Sequence, residues 1–349
     1  MYRADDLYMK RCLELAQKGL GEVSPNPLVG AVIVYNDKII GEGYHQSFGG
    51  PHAEVNAIKS LEDMSLIKDS TIYVNLEPCS FIGKTPACAE LLKEKHFARV
   101  VIGCEDPNPK VSGKGIEIIN NSGIKTESGI LEDECMALNK RFFINQNKKR
   151  PYIILKFAQT SDGFIAREDF SSKWVSGPDS RVLVHKWRSE EDAIMVGTNT
   201  AKYDDPSLSV RLCSGKNPVR IILDRTLRLS EKLNVFNDKE AKTIIIHDKS
   251  TLPDKKDHLE YHPIDFSTNT WLEVLFNTLY VQGIGSMIVE GGGMLLNKVI
   301  ISGLWDEARV FTAKTEFKKG IKAPVLPNNI TVESFEYIKD DRLDIFKRI

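Results

Sequence analysis

The stretch PHAEVNAIKS, residues 51–60, sets a histidine and a glutamate two positions apart at the head of a helical pattern. Side chains at i and i+2 of a helix point to nearly opposite sides. His52 and Glu54 therefore serve one site only if His52 stands at or just before the first turn and Glu54 just inside it. Downstream, LEPCSFIGKTPAC (76–88) supplies Cys79 and Cys88 across a glycine-containing loop. Thr85 and Pro86 read as an N-cap and a first helical residue. That puts Cys88 in a first turn, where the positive end of the helix dipole favours a thiolate.

One imidazole and two thiolates make three ligands for a tetrahedral zinc, with the fourth position left for water, as in catalytic sites. Glu54 then stands beside the metal and not on it. An H-x-E followed by P-C and a further Cys is the arrangement of zinc deaminases, whose glutamate is the general acid and base. The expected chemistry is hydrolytic: one zinc per chain activates water against a carbon bearing an amino group. Glu54 delivers protons to the ring nitrogen and the departing ammonia. A purely structural zinc is the rival reading. It needs a fourth Cys or His, and the nearest, His45, lies at a strand end. Cys12, Cys104, Cys135 and Cys213 read as small core residues.

Outward from this pair, strand and helix alternate. LVGAVIVY (28–35) and KIIGEGYH (38–45) flank Asn36-Asp37, a hairpin signal. A helix from about Ala53, the strand TIYVNLE (71–77), a helix from Pro86 and the strand ARVVIG (98–103) follow. Met9, Leu13 and Ala16 recur at helical spacing near the N-terminus, with Gly19 able to end that helix. NQNKKR (145–150) is polar, without periodicity, and precedes Pro151, so it reads as a linker. A second series follows it: strands at 152–158, 192–197, 219–224, 242–247 and 286–293, with helices around 179–188 and 270–281. Two α/β domains are expected, 1–147 and 148–349.

Composition sets the outer limits. The 349 residues are 42% hydrophobic and 27% charged, enough for a core in each domain. A formal net charge of −1 argues against a general nucleic-acid binder. No run approaches 18 apolar residues, so no membrane span is expected. Six cysteines without a secretion signal read as reduced thiols, and the expected compartment is the cytoplasm.

The cysteines here stand nine positions apart, where nucleoside deaminases carry P-C-x-x-C. That spacing, with SPNPLVG (24–30) and DPNPKVSGKG (106–115), resembles the bifunctional riboflavin-biosynthesis deaminase–reductases over nearly the whole chain. The resemblance implies a cytidine-deaminase-like three-layer α/β/α domain followed by a dihydrofolate-reductase-like α/β domain. It implies deamination of a diaminopyrimidinone ribosylamino 5′-phosphate, then reduction of its ribose to ribityl with NADPH. In the first domain it places Asn26, His45, Lys84, Asp106 and Asn108 at the substrate. Phe81 stands where the family usually has histidine, and Ala87 where it usually has proline. Neither is a ligand, so substrate fit is expected to feel these departures before the chemistry does.

The second domain shows no G-x-G-x-x-G opening a βαβ unit, so a Rossmann domain is not supported. SMIVEGGGMLLNKVI (286–300) instead runs strand, three glycines, helix, a turn whose amides can bind a phosphate. LKFAQTSDGFIA (155–166), SSKW (171–174), HKWRSE (185–190) and VGTNTAKYDDPSLSVR (196–211) match the family's reductase half. By that match Ala158, Trp174, Thr200, Asp204, Gly292 and Gly293 contact the cofactor. Ser172, Arg188, Leu208, Arg211 and Glu290 contact the substrate. Arginines 188 and 211 suit a 5′-phosphate, and Glu290 a ribose hydroxyl or the opening of the ribosylamine. Arg225 replaces the family's usual Ser or Thr at a cofactor position, and is expected to face the 2′-phosphate of NADPH. The partner is a phosphorylated pyrimidine, and a homo-oligomer is expected. Two alternatives stand beside this reading: a deaminase whose second domain binds without reducing, and a nucleic-acid deaminase.

Overall fold

The computed structural model describes residues 4–81, 87–109, 111–172, 174–254 and 256–348. Its chain divides into two compact units, Met1–Lys149 and Arg150–Ile349.

In the first unit the elements are, in order, α1 (Ala4–Gln17), β1 (Gly30–Tyr35), β2 (Lys38–Tyr44), α2 (Ala53–Lys59), β3 (Thr71–Leu76), α3 (Cys88–Lys95), β4 (Arg99–Cys104), α4 (Lys114–Asn121), β5 (Lys125–Ser128), α5 (Glu132–Leu138) and α6 (Lys140–Lys148). The sheet runs β2-β1-β3-β4-β5. Its first two pairings are antiparallel and the last two parallel. Asn36 and Asp37 both take positive φ, 48° and 60°, as a two-residue hairpin turn requires.

Alternation along the strands builds a core on each face. Ala31, Ile33, Ile72, Val74, Val100 and Ile102 pack with Ala53, Ala57, Leu92 and Ile119 from α2, α3 and α4. Val32, Val34, Tyr73 and Val101 pack with Met9, Cys12, Leu15 and Cys135 from α1 and α5. The sheet is thus the middle of three layers. Each wholly buried Ile or Val contributes roughly 1.5–3 kcal/mol. Cys12, Cys104 and Cys135 are buried, as small core residues should be.

The stretch 145–150 corrects the expected linker. Its first four residues are the last turn of α6, closed by Lys149 in the left-handed region at φ 51°. Asn145 is buried, and Phe142 and Phe143 pack on the α1/α5 core. A polar surface sequence hid a helix held by only a few inward residues. Arg150 is buried too, bonded to both carboxylate oxygens of Asp306 at 2.6 and 2.7 Å.

The second unit contains β6 (Tyr152–Thr160), β7 (Phe164–Ala166), α7 (Pro178–Glu190), β8 (Ala193–Gly197), α8 (Thr198–Asp204), β9 (Val219–Leu223), α9 (Asn234–Asn237), β10 (Thr243–Asp248), β11 (Leu259–Ile264), α10 (Trp271–Val281), β12 (Ser286–Glu290), α11 (Gly293–Ser302), β13 (Glu307–Ala313), β14 (Ile321–Lys322), β15 (Ile330–Ile338) and β16 (Asp341–Arg348). Nine strands form one sheet, β11-β10-β9-β8-β12-β6-β13-β16-β15, and β7 pairs with β14. From β11 to β13 neighbours are parallel. The β13–β16 and β16–β15 pairs are antiparallel. Leu275, Phe276, Leu279, Leu296 and Val299 of α10 and α11 cover one face, and Ala201 of α8 and Phe236 of α9 cover part of the other. Parallel strands end together, so their C-terminal ends, where Glu290 and the glycines lie, form the functional rim expected of such sheets.

Among the described residues no helix is long and apolar enough to cross a membrane.

Candidate active sites

His52 is the N-cap of α2 and Glu54 its second residue, the arrangement that lets an i, i+2 pair converge. Across the sheet, β3 ends at Leu76 and delivers Cys79 shortly after. Cys88 is the first residue of α3. The helix therefore starts two residues later than Thr85-Pro86 implied, with Ala87 as its cap; Thr85 and Pro86 lie outside the described residues. Ala87 has no side-chain acceptor for the helix amides, and the Cys88 N–H is taken up by Cys79 Sγ at 3.3 Å.

His52 Nδ1 lies 3.6 Å from Cys79 Sγ and 3.3 Å from Cys88 Sγ. All three ligand atoms fall within 4.8 Å of one another. Zinc bonds of about 2.3 Å to sulfur and about 2.0 Å to nitrogen would put tetrahedral ligands roughly 3.5–3.8 Å apart. The donor set fits zinc in kind and in spacing. Glu54 is buried at 3% exposure. Burial pushes its carboxyl up, the Cys79 charge adds to this, and His52 opposes. Hydrogen bonding from Cys88 pushes the Cys79 thiol down, against its burial.

His45 and Asn26 meet beside this centre. His45 is buried, its ring 5.5 Å from that of His52 and edge-on to it. Its Nδ1 lies 3.0 Å from the Pro51 carbonyl and its Nε2 3.0 Å from Asn26 Nδ2. A carbonyl only accepts, so Nδ1 carries the proton and Nε2 accepts from Asn26. Burial lowers the His45 pKa and favours this neutral ring. Asp106 accepts the Asn108 N–H at 2.7 Å, and burial raises its pKa to about 6. Lys84 lies outside the described residues. Phe81 is exposed.

Sequence reasoning missed the groups that hold these loops. Asn139 takes the Leu28 N–H at 2.8 Å and donates to the Leu28 carbonyl at 2.9 Å. Asn75 takes the Gly30 N–H and donates to the same carbonyl. Two buried amides thus fix the segment bearing Asn26. Their sequence signal is weak, since each Asn alone reads as a turn former.

In the second unit, register sets Glu290 of β12 directly beside Lys156 of β6. Arg188 of α7 reaches the same carboxylate, 2.9 Å from Oε2, and Lys156 Nζ stands 4.0 Å away. Burial would raise the Glu290 carboxyl, but Arg188 and Lys156 outweigh it and hold it down at about 2. Glu290 Oε1 and Arg188 Nε are buried without a hydrogen-bond partner. Lys156 and His185, both beside Glu290, escaped the sequence reading. Each falls in a stretch where lysine or histidine has a bland explanation.

The expected phosphate arginines part company. Arg188 is committed to Glu290, while Arg211 is exposed, with its guanidinium on Ser209 Oγ at 2.8 Å. The Arg211 N–H donates to His185 Nδ1. Leu208, at φ 54°, turns into the core with Ile194 and Val196. Ser172 donates to Asp204 at 2.8 Å, and Thr200 Oγ1 accepts the Gly292 N–H at 2.7 Å. Gly291 has φ 144°, and a Cβ there would meet Thr200 Oγ1 at 3.1 Å, so glycine is required for this close approach. Gly292 caps α11 without a side chain and Gly293 opens it. Ala158 lies two residues beyond Lys156 on the same face of β6. Trp174 is no core tryptophan: it is 65% exposed, with Arg181 stacked 4.2 Å from its ring centre. Arg225 pairs with Asp248 at 3.2 Å and remains half-exposed.

Known proteins share this two-part plan. The profile of the cytidine and deoxycytidylate deaminase zinc-binding region matches residues 2–104, and that of the RibD C-terminal domain matches 151–315. The riboflavin biosynthesis protein RibD of Aquifex aeolicus is 39% identical over 99% of this chain and 98% of its own. That of Bacillus amyloliquefaciens is 38% identical over 96% and 90%. A solved structure from Thermotoga maritima, a diaminohydroxyphosphoribosylaminopyrimidine deaminase/5-amino-6-(5-phosphoribosylamino)uracil reductase, is 38% identical and covers 99% of both chains with a TM-score of 0.91. Acinetobacter baumannii RibD superposes with a TM-score of 0.89 at 32% identity, again over 99% of both chains. A zinc-binding deaminase half and a reductase half that implies a nicotinamide cofactor thus lie in one chain, in the order those relatives have them. The protein belongs to the RibD family, the bifunctional deaminase–reductases of riboflavin biosynthesis.

Proposed function

We propose that residues 1–147 deaminate a diaminopyrimidinone ribosylamino 5′-phosphate and that residues 148–349 then reduce its ribosyl group to ribityl with NADPH, in the cytoplasm. The observation that carries the first half is Glu54, buried beside the His52–Cys79–Cys88 cluster. Zinc in that cluster supplies Lewis acidity that makes water a nucleophile near neutral pH. Glu54 takes a proton from the attacking water, gives it to the ring nitrogen, and later protonates the departing ammonia. Its apolar surroundings favour the protonated form, which suits a group that must hold a proton between two transfers. Asn26, oriented by His45, presents an amide to the pyrimidinone edge; Asp106, Asn108 and Lys84 take the ribose and phosphate.

In the second half, Glu290 Oε1 and Arg188 Nε are a buried acceptor and a buried donor facing no partner, and a polar ligand relieves both. Glu290, held ionised, accepts from a ribose hydroxyl and assists opening of the ribosylamine. Arg211 and Ser172 meet the phosphorylated sugar, and Leu208 contributes backbone. The nicotinamide cofactor delivers hydride to sugar C1′. Trp174 and Ala158 flank the nicotinamide, while Thr200, Asp204, Gly292 and Gly293 line the phosphates and riboses. Arg225 offers its charge to the 2′-phosphate that distinguishes NADPH.

A coupled assay tests both halves: the diaminopyrimidinone phosphate is supplied with NADPH, and ammonia release and NADPH oxidation are followed separately. Both signals are expected, in that order. Ammonia release without NADPH oxidation, even on added deaminated intermediate, would leave a deaminase with a non-reducing second domain.

A further inference from the structure

The motif DPNPKVSGKG (106–115) contributes Asp106 and Asn108 to the reading above, but its glycines remain without a task there. The structure supplies one. Glu77, buried at 3% exposure and two residues before Cys79, turns its carboxylate onto the backbone of this segment. Oε2 accepts from the N–H groups of Asp106 at 3.2 Å and Gly113 at 3.0 Å. Oε1 accepts from Gly115 at 2.9 Å and Ile116 at 3.4 Å. One side chain thus takes four main-chain donors.

Three of those donors are the exposed amides at the start of α4. Gly113 is the N-cap of that helix and has no side chain with which to cap it. Glu77 does so from another element, and places negative charge where the helix dipole is positive. The glycines permit the approach. A Cβ on Gly115 would come within 2.1 Å of the Pro78 carbonyl and 3.1 Å of Glu77 Oε1, and Gly113 has φ 75°. The main chain of Glu77 is fixed in turn, since its N–H donates to the Cys104 carbonyl at 2.9 Å. The chain from Glu77 to Cys79 is short, so whatever holds Glu77 sets the segment's distance from the metal ligand.

We infer that Glu77 is a positioning residue of the deaminase: its carboxylate locks the segment carrying Asp106 and Asn108 in register with Cys79, and so sets affinity for the phosphoribosyl part of the substrate. This rests on the assignment of Asp106 and Asn108 as substrate contacts. Glu77 itself touches neither substrate nor metal.

The test uses the full chain with Glu77→Gln, Glu77→Asp and, separately, Asp106→Asn. Zinc per chain, deaminase kcat and KM, and reduction of added deaminated intermediate are measured on each. In Glu77→Gln an NH2 group replaces one acceptor and faces two N–H donors. KM is expected to rise by about ten- to a hundredfold, the scale of a misplacement near 1 Å. Zinc, reductase rate and kcat at saturating substrate should hold within about threefold of the native chain. Glu77→Asp keeps both acceptors one methylene further back, and its KM should lie between those of the native and Gln chains. Zinc-replete Glu77→Gln with native KM overturns the inference, as does a fall in kcat with KM unmoved. If Glu77→Gln loses zinc or reductase activity through misfolding, Glu77→Asp decides on the same KM criterion. Native KM in Asp106→Asn would instead overturn the substrate contacts and this inference with them, whereas raised KM there beside native KM in Glu77→Gln removes the inference alone.

Discussion

The backbone N–H of Cys88 donates to the sulfur of Cys79 over 3.3 Å. The two cysteines, nine residues apart in sequence, are thus joined before any metal is considered. A helix N-terminus aimed at a sulfur favours its thiolate, and His52 Nδ1 closes the triangle at 3.3 and 3.6 Å. Removing one corner should cost the metal. His52→Ala is expected to lower zinc affinity by more than about a hundredfold, beyond the loss typical of outer-shell changes. Elemental analysis after dialysis against a weak chelator reads this directly. Native zinc content in that variant would take His52 out of the ligand set.

Glu54→Gln separates the proton carrier from the ligands. The amide keeps the shape of the side chain but cannot accept and release a proton. Zinc content should stay at the native value while ammonia release falls by about 10²–10⁴-fold, the usual contribution of general acid–base catalysis. Reduction of added deaminated intermediate should be unaffected. Deamination above a tenth of the native rate would show that another group moves the proton.

Arg188 and Glu290 form a largely buried pair, each side chain about 12% exposed or less. Breaking such a pair by removing one partner leaves a buried charge and costs about 3–5 kcal/mol. Arg188→Met should therefore lower the unfolding midpoint of the reductase unit, seen by calorimetry, and abolish most NADPH oxidation. The linkage has a definite sign. The Glu290 carboxyl, ordinarily near 4.5, is depressed to about 2. Its stabilising contribution is complete above 4.5 and disappears as pH falls toward 2. Equal acid sensitivity in native and Glu290→Gln chains would contradict that account.

His185 should titrate far from the ordinary histidine value. Burial, then the charges of Arg188 and Arg211, lower it from 6.5 to about 4. The neutral ring accepts the Arg211 N–H at Nδ1, and protonation would break that bond. Stability from this group is full above 6.5 and is lost as pH falls through 6.5 toward 4. Imidazole nitrogen shifts followed by NMR across that range give the midpoint. A value near 6.5 would mean that the ring is open to solvent.

Arg225 stands at the carboxyl end of β9, half-exposed and paired with Asp248 across 3.2 Å. If its free N–H groups meet the 2′-phosphate, Arg225→Ala should raise KM for NADPH by about tenfold, one charge-assisted contact's worth. KM for NADH should change less than twofold. An equal rise for both cofactors would assign Arg225 to Asp248 alone.

Sequence alone determined the chemistry of the first site. H-x-E at a helix start, P-C, and a cysteine opening a second helix are local patterns, and local backbone geometry is what short motifs encode. His52 does cap α2, and Cys88 does open α3. Strand alternation and the Asn36-Asp37 turn likewise fixed the sheet, because period-two burial and positive φ are properties of a few neighbouring residues. Tertiary structure alone decided what lies across long separations. It set Lys156 against Glu290, 134 positions on, through strand register, and turned Arg188 from the phosphate to that carboxylate. It closed α6 over a stretch whose polarity suggested a linker, and it gave Glu77 and Asn139 their loops to hold. A buried polar side chain is satisfied by whichever backbone the fold brings to it, and that pairing leaves no periodic trace in the sequence.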